Sequence, residues 1–146
     1  MTPTWVELTT GGTTPFARKG HTSVVWKDQM VVFGGLGGLN STQSLNLLNN
    51  SWVDLNITSG SASIQIGGRY GHSSVMWGGK MMVFGGKSSS SNYLNDTWLL
   101  DLSANGPNGP YNWVNYINNN NISNRSGHSA VIYDNSMIVF GGTDGS

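Results

Sequence analysis

The chain has 146 residues, of which 10% are charged and 21 are glycine, and its formal net charge is zero. Since soluble domains average roughly 25% charged residues, this chain presents Ser, Thr, Asn and Gly to water instead. The balanced charge offers no basic stripe for nucleic acid, and the lack of cysteine excludes disulfides and thiolate chemistry. The length suits a single domain, and no nucleic-acid partner is expected.

The apolar runs are short, of the MVVF kind. A membrane-spanning helix needs about 18 or more apolar residues, so no membrane partner is expected. The N-terminus lacks the basic segment followed by an apolar stretch that marks a secretory signal. These features favour a soluble, cytoplasmic protein.

The first predicted element is a short strand at Trp5-Val6-Glu7-Leu8. It has the pattern W-x-x-L, which returns at Trp52-Val53-Asp54-Leu55 and, with Tyr in the last place, at Trp113-Val114-Asn115-Tyr116. The same kind of strand is therefore predicted three times along the chain.

A longer stretch also occurs three times, at Arg18–Gly35, Arg69–Gly86 and Arg125–Gly142, at intervals of roughly 50 residues. Each copy contains two short apolar runs, for example SVVW and MVVF, which are continuous enough to be strands covered on both faces. Three turn-forming residues separate the runs, as at Lys27-Asp28-Gln29. Each copy therefore predicts a hairpin.

Another strand is predicted between each hairpin and the following tryptophan strand. It is clearest at Asn95–Leu102 (NDTWLLDL), and Ser44–Leu48 (SLNLL) is the weaker equivalent, with Ser44 standing where Trp98 would be. Four short strands in a period of about 50 residues indicate the blade of a β-propeller.

The motifs R-x-G-H-[ST]-x-V, M-x-V-F-G-G, N-D-x-W-x-L-D-L and W-x-x-L, in this order, resemble the kelch repeat. The resemblance covers nearly the whole chain and is best in the second copy. It implies an all-β fold of kelch-type β-propeller blades, each with four antiparallel strands. The kelch region would span residues 1–146, with an outer strand at 5–8, blades at 18–55 and 69–116, and a partial blade at 125–142.

Three partial blades cannot close a ring, because propellers typically have about four to eight blades. The chain is therefore expected either to be a fragment of a longer propeller or to form a homodimer in which two copies close a six-bladed ring. The leading Trp5 strand fits both alternatives, since an N-terminal outer strand completes a blade in many kelch rings.

Most repeated residues are expected to be structural. Glycine pairs at strand ends suit positive φ angles or close backbone approach, each histidine is expected to bond neighbouring backbone, and the tryptophans are expected to pack between blades. The residues assigned this structural role are His21, His72, His128, Gly34, Gly35, Gly85, Gly86, Gly141, Gly142, Trp5, Trp52, Trp98 and Trp113.

No catalytic residue, metal site or cofactor is predicted. All three histidines are repeat positions, and equivalent side chains in rotated blades stand too far apart for one metal ion. The sequence contains no G-x-S-x-G or H-E-x-x-H motif. Galactose oxidase has a kelch fold, but its copper chemistry depends on a cysteine that this chain lacks.

Binding is expected on the face that carries the long loops, because variable loops on a rigid scaffold commonly hold binding sites. These loops are Leu36–Gln43, Lys87–Tyr93, Thr9–Ala17, Asn56–Gly68 and Ile117–Asn124; the opposite face has one long loop, Ser103–Pro110. The arginines are expected first to bind carbonyls or an aspartate such as Asp101, and second to bind a ligand. The candidate binding residues are Arg18, Arg69, Arg125, Phe16, Tyr70, Tyr93 and Lys87.

Two functions follow as hypotheses. The first is a kelch-type interaction module that binds a protein or peptide across the long-loop face. The second is a piece of a kelch-fold enzyme or carbohydrate-binding propeller whose active residues lie in blades outside this chain. Fold resemblance alone does not decide function.

Overall fold

The structure is a computed structural model that describes residues 2–36, 40–55, 57–58, 65–104, 109–116 and 122–146. The regular structure of these residues consists of β-strands, which confirms the predicted all-β class. The strands are β1 (Gly11–Gly12), β2 (Thr22–Trp26), β3 (Gln29–Phe33), β4 (Thr42–Asn46), β5 (Ser51–Asp54), β6 (Arg69–Tyr70), β7 (Ser73–Trp77), β8 (Lys80–Ser88), β9 (Tyr93–Asp101), β10 (Trp113–Asn115), β11 (Ser126–Tyr133) and β12 (Ser136–Thr143).

The strands form three sheets, which we call the first, second and third blades. The first has the order β1-β5-β4-β3-β2, and the second has β10-β9-β8, with β6 and β7 both paired to β8. The third contains only the hairpin β11-β12. All pairs are antiparallel except β1 with β5. The first blade has four antiparallel strands, β2 to β5, with β1 added at its edge, and in the second blade β6 and β7 lie on the same side of β8 and share one strand position. Two such blades and a partial one confirm the predicted architecture, and the described sheets do not close into a ring.

The hairpins form where the sequence predicts them, but their turns have two residues rather than three. Trp26 is paired with Gln29, Trp77 with Lys80 and Tyr133 with Ser136. The turn residues Gly78 and Gly79 have φ angles of 55° and 79°, as a tight two-residue hairpin turn requires. The third residue of each predicted turn therefore begins the second strand.

The strand predicted at Trp5–Leu8 does not form. Residues 2–10 contain no strand, and the Trp5 side chain is fully exposed. A strand needs a neighbouring edge to bond its N–H and C=O groups, and no described strand pairs with these residues. Instead Gly11 and Gly12 lie along β5, where Gly11 N–H donates to Asn50 O at 3.0 Å and Thr13 N–H to Trp52 O at 2.9 Å.

The third strand of the first blade is displaced from its predicted position. Val32 is paired with Gln43, as Val83 is paired with Trp98 in the second blade. Gln43, not Ser44, therefore stands where Trp98 would be. The prediction followed the apolar run SLNLL, but its two final leucines are exposed in the turn after β4.

The described core lies mainly between the first and second blades. Val31 and Phe33 of the first blade belong to one buried cluster with Met81, Val83 and other residues of the second. The rest of this cluster is Val24, Leu55, Ile66, Trp98, Leu100, Leu102, Tyr111 and Trp113. Apolar burial of this kind is the main stabilising term in folding, so each blade depends on its neighbour.

Candidate functional site

The arginine of the second blade is a buried structural anchor. Arg69 is 1% exposed, and its guanidinium donates to both carboxylate oxygens of Asp96 at 2.6 and 2.9 Å and to Gly85 O at 3.1 Å. Burial alone would raise the pKa of Asp96, but the hydrogen bond and charge of Arg69 lower it below its usual value. Asp96 is also held by Trp98 Nε1–H at 2.6 Å.

Arg69 binds carbonyls and an aspartate, which are the two kinds of partner that the sequence predicted, but the aspartate is Asp96 and not Asp101. Asp101 instead accepts from Lys80 Nζ at 2.8 Å at the opposite end of β9. The aspartate that binds Arg69 is the second residue of the N-D-x-W motif. The motif was recognised in the sequence, but its aspartate was not predicted to bind the arginine. Strands β8 and β9 run antiparallel, so only the start of β9 can approach Arg69.

The arginine of the first blade has neutral partners. Arg18 donates to Ser41 Oγ at 2.8 Å, to Gln43 Oε1 at 2.7 Å and to Gly34 O at 3.2 Å. Ser41 occupies the place of Asp96. The amide of Gln43 donates in turn to Asp54 Oδ1 at 2.8 Å, so the carboxylate of this blade lies one side chain further from the guanidinium.

The arginine of the third blade forms no ion pair within the described residues. Arg125 donates to Gly141 O at 3.0 Å and to Ser123 Oγ at 2.7 Å, and it is half-buried. A shallow cavity of about 240 Å³ lies beside it, lined also by Asn124, Thr143 and Asp144. The three equivalent arginines thus occupy one motif position in three chemical environments.

The two buried histidines, His72 and His128, form side-chain hydrogen bonds with the preceding blade, whereas His21 is exposed. His72 Nε2 is 2.8 Å from Thr22 Oγ1, and His128 Nε2 is 2.8 Å from Ser73 Oγ. Each ring also packs on a phenylalanine of the preceding blade, with 5.3 Å between the ring centroids of His72 and Phe33. Burial lowers the pKa of His72 to about 3, with a smaller contribution from Arg69.

Backbone bonds repeat at the same two junctions. Gly35 N–H donates to Arg69 O at 2.9 Å, and Gly86 N–H donates to Arg125 O at 2.8 Å. Gly86 has a φ of 96°, and a Cβ there would lie 2.8 Å from His72 Cβ. A side chain at this position is therefore excluded both by conformation and by the neighbouring histidine.

The other binding candidates lie at the same end of the strands. Phe16 is 81% exposed, whereas Tyr70 and Tyr93 are half-buried. Lys87 pairs with Tyr93 in the strand register, and its Nζ lies 4.5 Å from the centroid of the Tyr93 ring, a cation–π geometry. The structure thus brings Lys87 and Tyr93 together.

Several predicted loop residues fall outside the described residues. These are 37–39 in the Leu36–Gln43 loop, 56 and 59–64 in the Asn56–Gly68 loop, 117–121 in the Ile117–Asn124 loop and 105–108 in the Ser103–Pro110 loop. All the charged side chains lie in the described part.

Basic residues are concentrated at the loop end of the blades. Of the seven basic residues, the five at this end are Arg18, Lys19, Arg69, Lys87 and Arg125. The same end carries three acidic residues, Asp54, Asp96 and Asp144, and Asp96 is already paired with Arg69. The remaining acidic residue outside the turn end, Glu7, lies in residues 2–10, which form no strand. The turn end holds Lys27 and Lys80 against Asp28, Asp101 and Asp134. Lys19 was missed as a candidate, although it adjoins Arg18 in the motif.

Among the described residues, no group of three or more His, Asp or Glu side chains is placed to hold a metal ion. The same residues contain no helix with the length and apolar character that crossing a bilayer requires.

Two family models match successive parts of the chain. Residues 64–146 match the KLHDC2/KLHL20/DRC7 Kelch-repeats domain, and residues 17–57 match the Kelch motif. The chain belongs to the kelch-repeat family, as the order of its motifs predicted.

Curated relatives share this region within much longer proteins. Tip elongation aberrant protein 1 of Schizosaccharomyces pombe is 33% identical over 99% of the chain, which spans 13% of that protein. The leucine-zipper-like transcriptional regulator 1 homolog of Drosophila melanogaster is 33% identical over 88% of the chain, and the match covers 13% of that protein. Host cell factor homolog hcf-1 of Caenorhabditis elegans is 35% identical over 56% of the chain, and the match covers 11% of that protein.

The solved structure of YjhT has a similar fold. It matches 90% of the chain with a TM-score of 0.68 at 23% identity, and the chain spans 36% of it. The fold of the chain therefore corresponds to part of that structure.

Proposed function

We propose that the chain is a protein-interaction module that binds an acidic peptide or protein segment across the loop end of its blades. The observation that carries this proposal is the concentration of basic side chains there. With Arg69 neutralised by Asp96, the remaining cations are Arg18, Lys19, Lys87 and Arg125. Complementary charge increases the rate and specificity of association.

The scaffold beneath this surface also supports binding. The inner strands are fixed by hydrogen bonds between blades, so the residues at their ends are held in place. Exposed Phe16 and half-buried Tyr93 add aromatic surface beside the cations, and aromatic residues are enriched among binding hot spots. The kelch relatives are consistent with an interaction role.

A peptide selection tests this proposal. A displayed random-peptide library selected on the chain should yield sequences rich in Asp and Glu, whose binding weakens as salt is raised. The double change Lys19→Gln with Lys87→Gln should weaken a selected peptide roughly fivefold, as expected for two exposed ion pairs. The matched control is Lys27→Gln at the turn end, which should leave binding unchanged.

Peptides without an acidic bias would overturn the proposed chemistry. Equal losses in the double variant and in Lys27→Gln would place the binding surface elsewhere. Arg69→Ala is unsuitable as a probe, because it removes a buried ion pair as well as any ligand contact.

Further blades are part of the same proposal. The face of the third blade that points away from the second is apolar and exposed, with Val131 58%, Tyr133 73%, Ile138 49% and Phe140 80% exposed. The equivalent face of the second blade packs against the third, where Phe84 and His128 ring centroids are 5.2 Å apart. A following blade, from a second copy or from a longer chain, would cover this surface.

Light scattering tests the source of these blades. A dimer of the 15.6 kDa chain supports a second copy, whereas a stable monomer contradicts self-completion of the ring.

A further inference from the structure

A lysine of the first blade lies next to a tyrosine of the second blade at the loop end. Lys19 and Tyr70 both hold the second position of the R-x-G-H motif. Gly71 N–H donates to Gly20 O at 2.8 Å, and a Cβ on Gly20 would lie 3.3 Å from Tyr70 Cβ. The junction between the two blades therefore places Lys19 beside Tyr70.

A second lysine lies on the other side of this tyrosine. Tyr70 and Lys87 are opposite partners in the pairing of β6 with β8, so their side chains share a face of the sheet. Tyr93 is the partner of Lys87 on β9, and its ring centroid lies 4.5 Å from Lys87 Nζ. Tyr70 therefore stands between two lysines, and the ring of Tyr93 holds one of them in place.

The polar ends of these three side chains are available to a ligand. Within the part of the chain that the structure describes, neither Lys19 nor Lys87 has a carboxylate partner, and the Tyr70 hydroxyl forms no hydrogen bond. Lys19 is exposed, and Tyr70 and Lys87 are half-buried. The group presents two positive charges and one hydroxyl donor.

The arginines of the same two blades are already engaged. Arg18 donates four of its five N–H groups to partners between Phe16 and Gln43, and Arg69 is paired with Asp96. In these blades neither guanidinium has two free N–H groups for the bidentate binding of a further carboxylate. Direct contact with an anion is therefore made by the lysines, which bind as point charges.

We propose that Lys19, Tyr70 and Lys87 bind the phosphoryl group of a phosphoserine or phosphothreonine in the partner segment. This inference rests on the proposed function, because it specifies the anionic group that the loop end prefers. A phosphoryl group carries a charge of about −1.5 to −2 and three acceptor oxygens, which match two ammonium groups and one hydroxyl. A carboxylate carries a single charge and leaves one lysine uncompensated.

Three versions of one peptide test this inference. The probes are fluorescein-labelled copies of an acidic peptide from the library selection, with phosphoserine, Glu or Ser at one position that is moved along the peptide. Fluorescence anisotropy should find a position where phosphoserine binds about tenfold more tightly than Glu, because it adds a charge-assisted hydrogen bond. Equal affinity of the phosphoserine and Glu peptides at every position would overturn the inference and leave the acidic-segment proposal standing.

Variants of the chain locate the preference for phosphoserine. Lys19→Gln and Lys87→Gln should each reduce the ratio of phosphoserine to Glu affinity about fivefold, and Tyr70→Phe should reduce it about threefold. Tyr93→Leu should also reduce the ratio, because Lys87 loses its ring, whereas Tyr93→Phe should keep it. The matched control is Lys27→Gln at the turn end. An equal reduction in Lys27→Gln would overturn the inference, because it would mean non-specific charge attraction.

Inorganic phosphate tests the site without a peptide. In a titration of the ¹⁵N-labelled chain at constant ionic strength, the largest amide shifts should lie at Lys19–Gly20, Tyr70–Gly71 and Lys87, and they should diminish in Lys19→Gln. Selection of peptides without acidic bias would contradict the proposed function, and this titration would still decide the inference. Shifts spread evenly over the basic residues, or none at these positions, would overturn it.

Discussion

The two junctions between blades share their inner contacts and differ in their outer ones. At both junctions a histidine bonds a hydroxyl of the preceding blade, its ring packs on a phenylalanine, and the second glycine of a pair donates to an arginine carbonyl. At the first junction Trp98, Leu100 and Trp113 also fill the space between the outer strands of the two blades. At the second junction a cavity of about 220 Å³ remains there.

This difference separates two functions of the repeat. The R-x-G-H and G-G motifs position one blade against the next, and they make the same contacts for the β11-β12 hairpin as for the second blade. The N-D-x-W strand fills the core and neutralises the arginine. Placement and completion of a blade therefore depend on different segments of sequence.

The largest expected effect concerns the side chains that pack between the outer strands of the first and second blades. Trp98 is 4% exposed, so Trp98→Ala should lower the free energy of unfolding by about 3–5 kcal/mol. The control is Trp5→Ala, whose side chain is fully exposed and should change stability by less than about 0.5 kcal/mol. Urea denaturation followed by circular dichroism measures both. A loss below about 1 kcal/mol at Trp98 would contradict its packing role.

The next comparison is between equivalent arginines. Arg69→Ala leaves Asp96 without its partner and should cost about 2–3 kcal/mol, below the full cost of a buried pair because Asp96 is 31% exposed. Arg125→Ala should cost less than about 1 kcal/mol, because Arg125 is half-buried and has no ion pair among the described residues. Urea denaturation measures both variants. An equal loss of stability in Arg69→Ala and Arg125→Ala would contradict the difference between the two sites.

Acid should weaken the junctions between blades. The pKa of His72 is about 3 in the folded chain and about 6.5 when unfolded, so below pH 6.5 the unfolded chain binds the proton more readily. The stabilising contribution is complete above pH 6.5 and falls as the pH decreases toward 3. We expect a loss of about 2 kcal/mol between pH 7 and pH 5.

His128 adds to this acid loss, because burial also lowers its pKa. Asp96, with a pKa below its usual value, adds a loss only below about pH 4. His72→Gln should flatten the dependence between pH 7 and pH 5, whereas His21→Gln, at an exposed position, should keep it. Thermal or urea melts across this range test the prediction, and an unchanged slope in His72→Gln would contradict it.

The smallest effect concerns single hydroxyl groups. Ser73→Ala removes the partner of His128 Nε2 and should cost about 1 kcal/mol. Ser129 holds the same motif position in the third blade but is exposed, so Ser129→Ala should be neutral within about 0.5 kcal/mol. A reversed order of these two variants would contradict the contact across the second junction.

The repeated hairpins could be predicted from sequence because their determinants are local. Apolar runs of four residues, short polar turns and glycine pairs recur at fixed spacing, and each fixes the backbone where it stands. The four-stranded blade followed from the same regularity. The third strand of the first blade was misplaced because its pattern, NSTQSLNL, has lost the tryptophan and the aspartate that mark its counterpart.

Contacts between copies could not be read in the same way. Whether Arg69 meets Asp96 or Asp101 depends on which end of β9 approaches it, and that depends on strand direction and register. The bonds from His72 to Thr22 and from His128 to Ser73 connect different blades through side-chain hydroxyls, whereas the prediction was a bond to neighbouring backbone. The Trp5 strand was predicted to complete a blade begun elsewhere in the ring, and no such edge pairs with it among the described residues.

Hydrogen exchange of the free chain, under conditions where it is monomeric, tests the central difference between the second and third blades most directly. In β8, which is paired on both sides, amides along the whole strand should be protected. In β12, the amides that point away from β11 should exchange much faster than their counterparts in β8. Equal protection of Lys80–Phe84 and Ser136–Phe140 would contradict the open edge on which the account of the third blade depends.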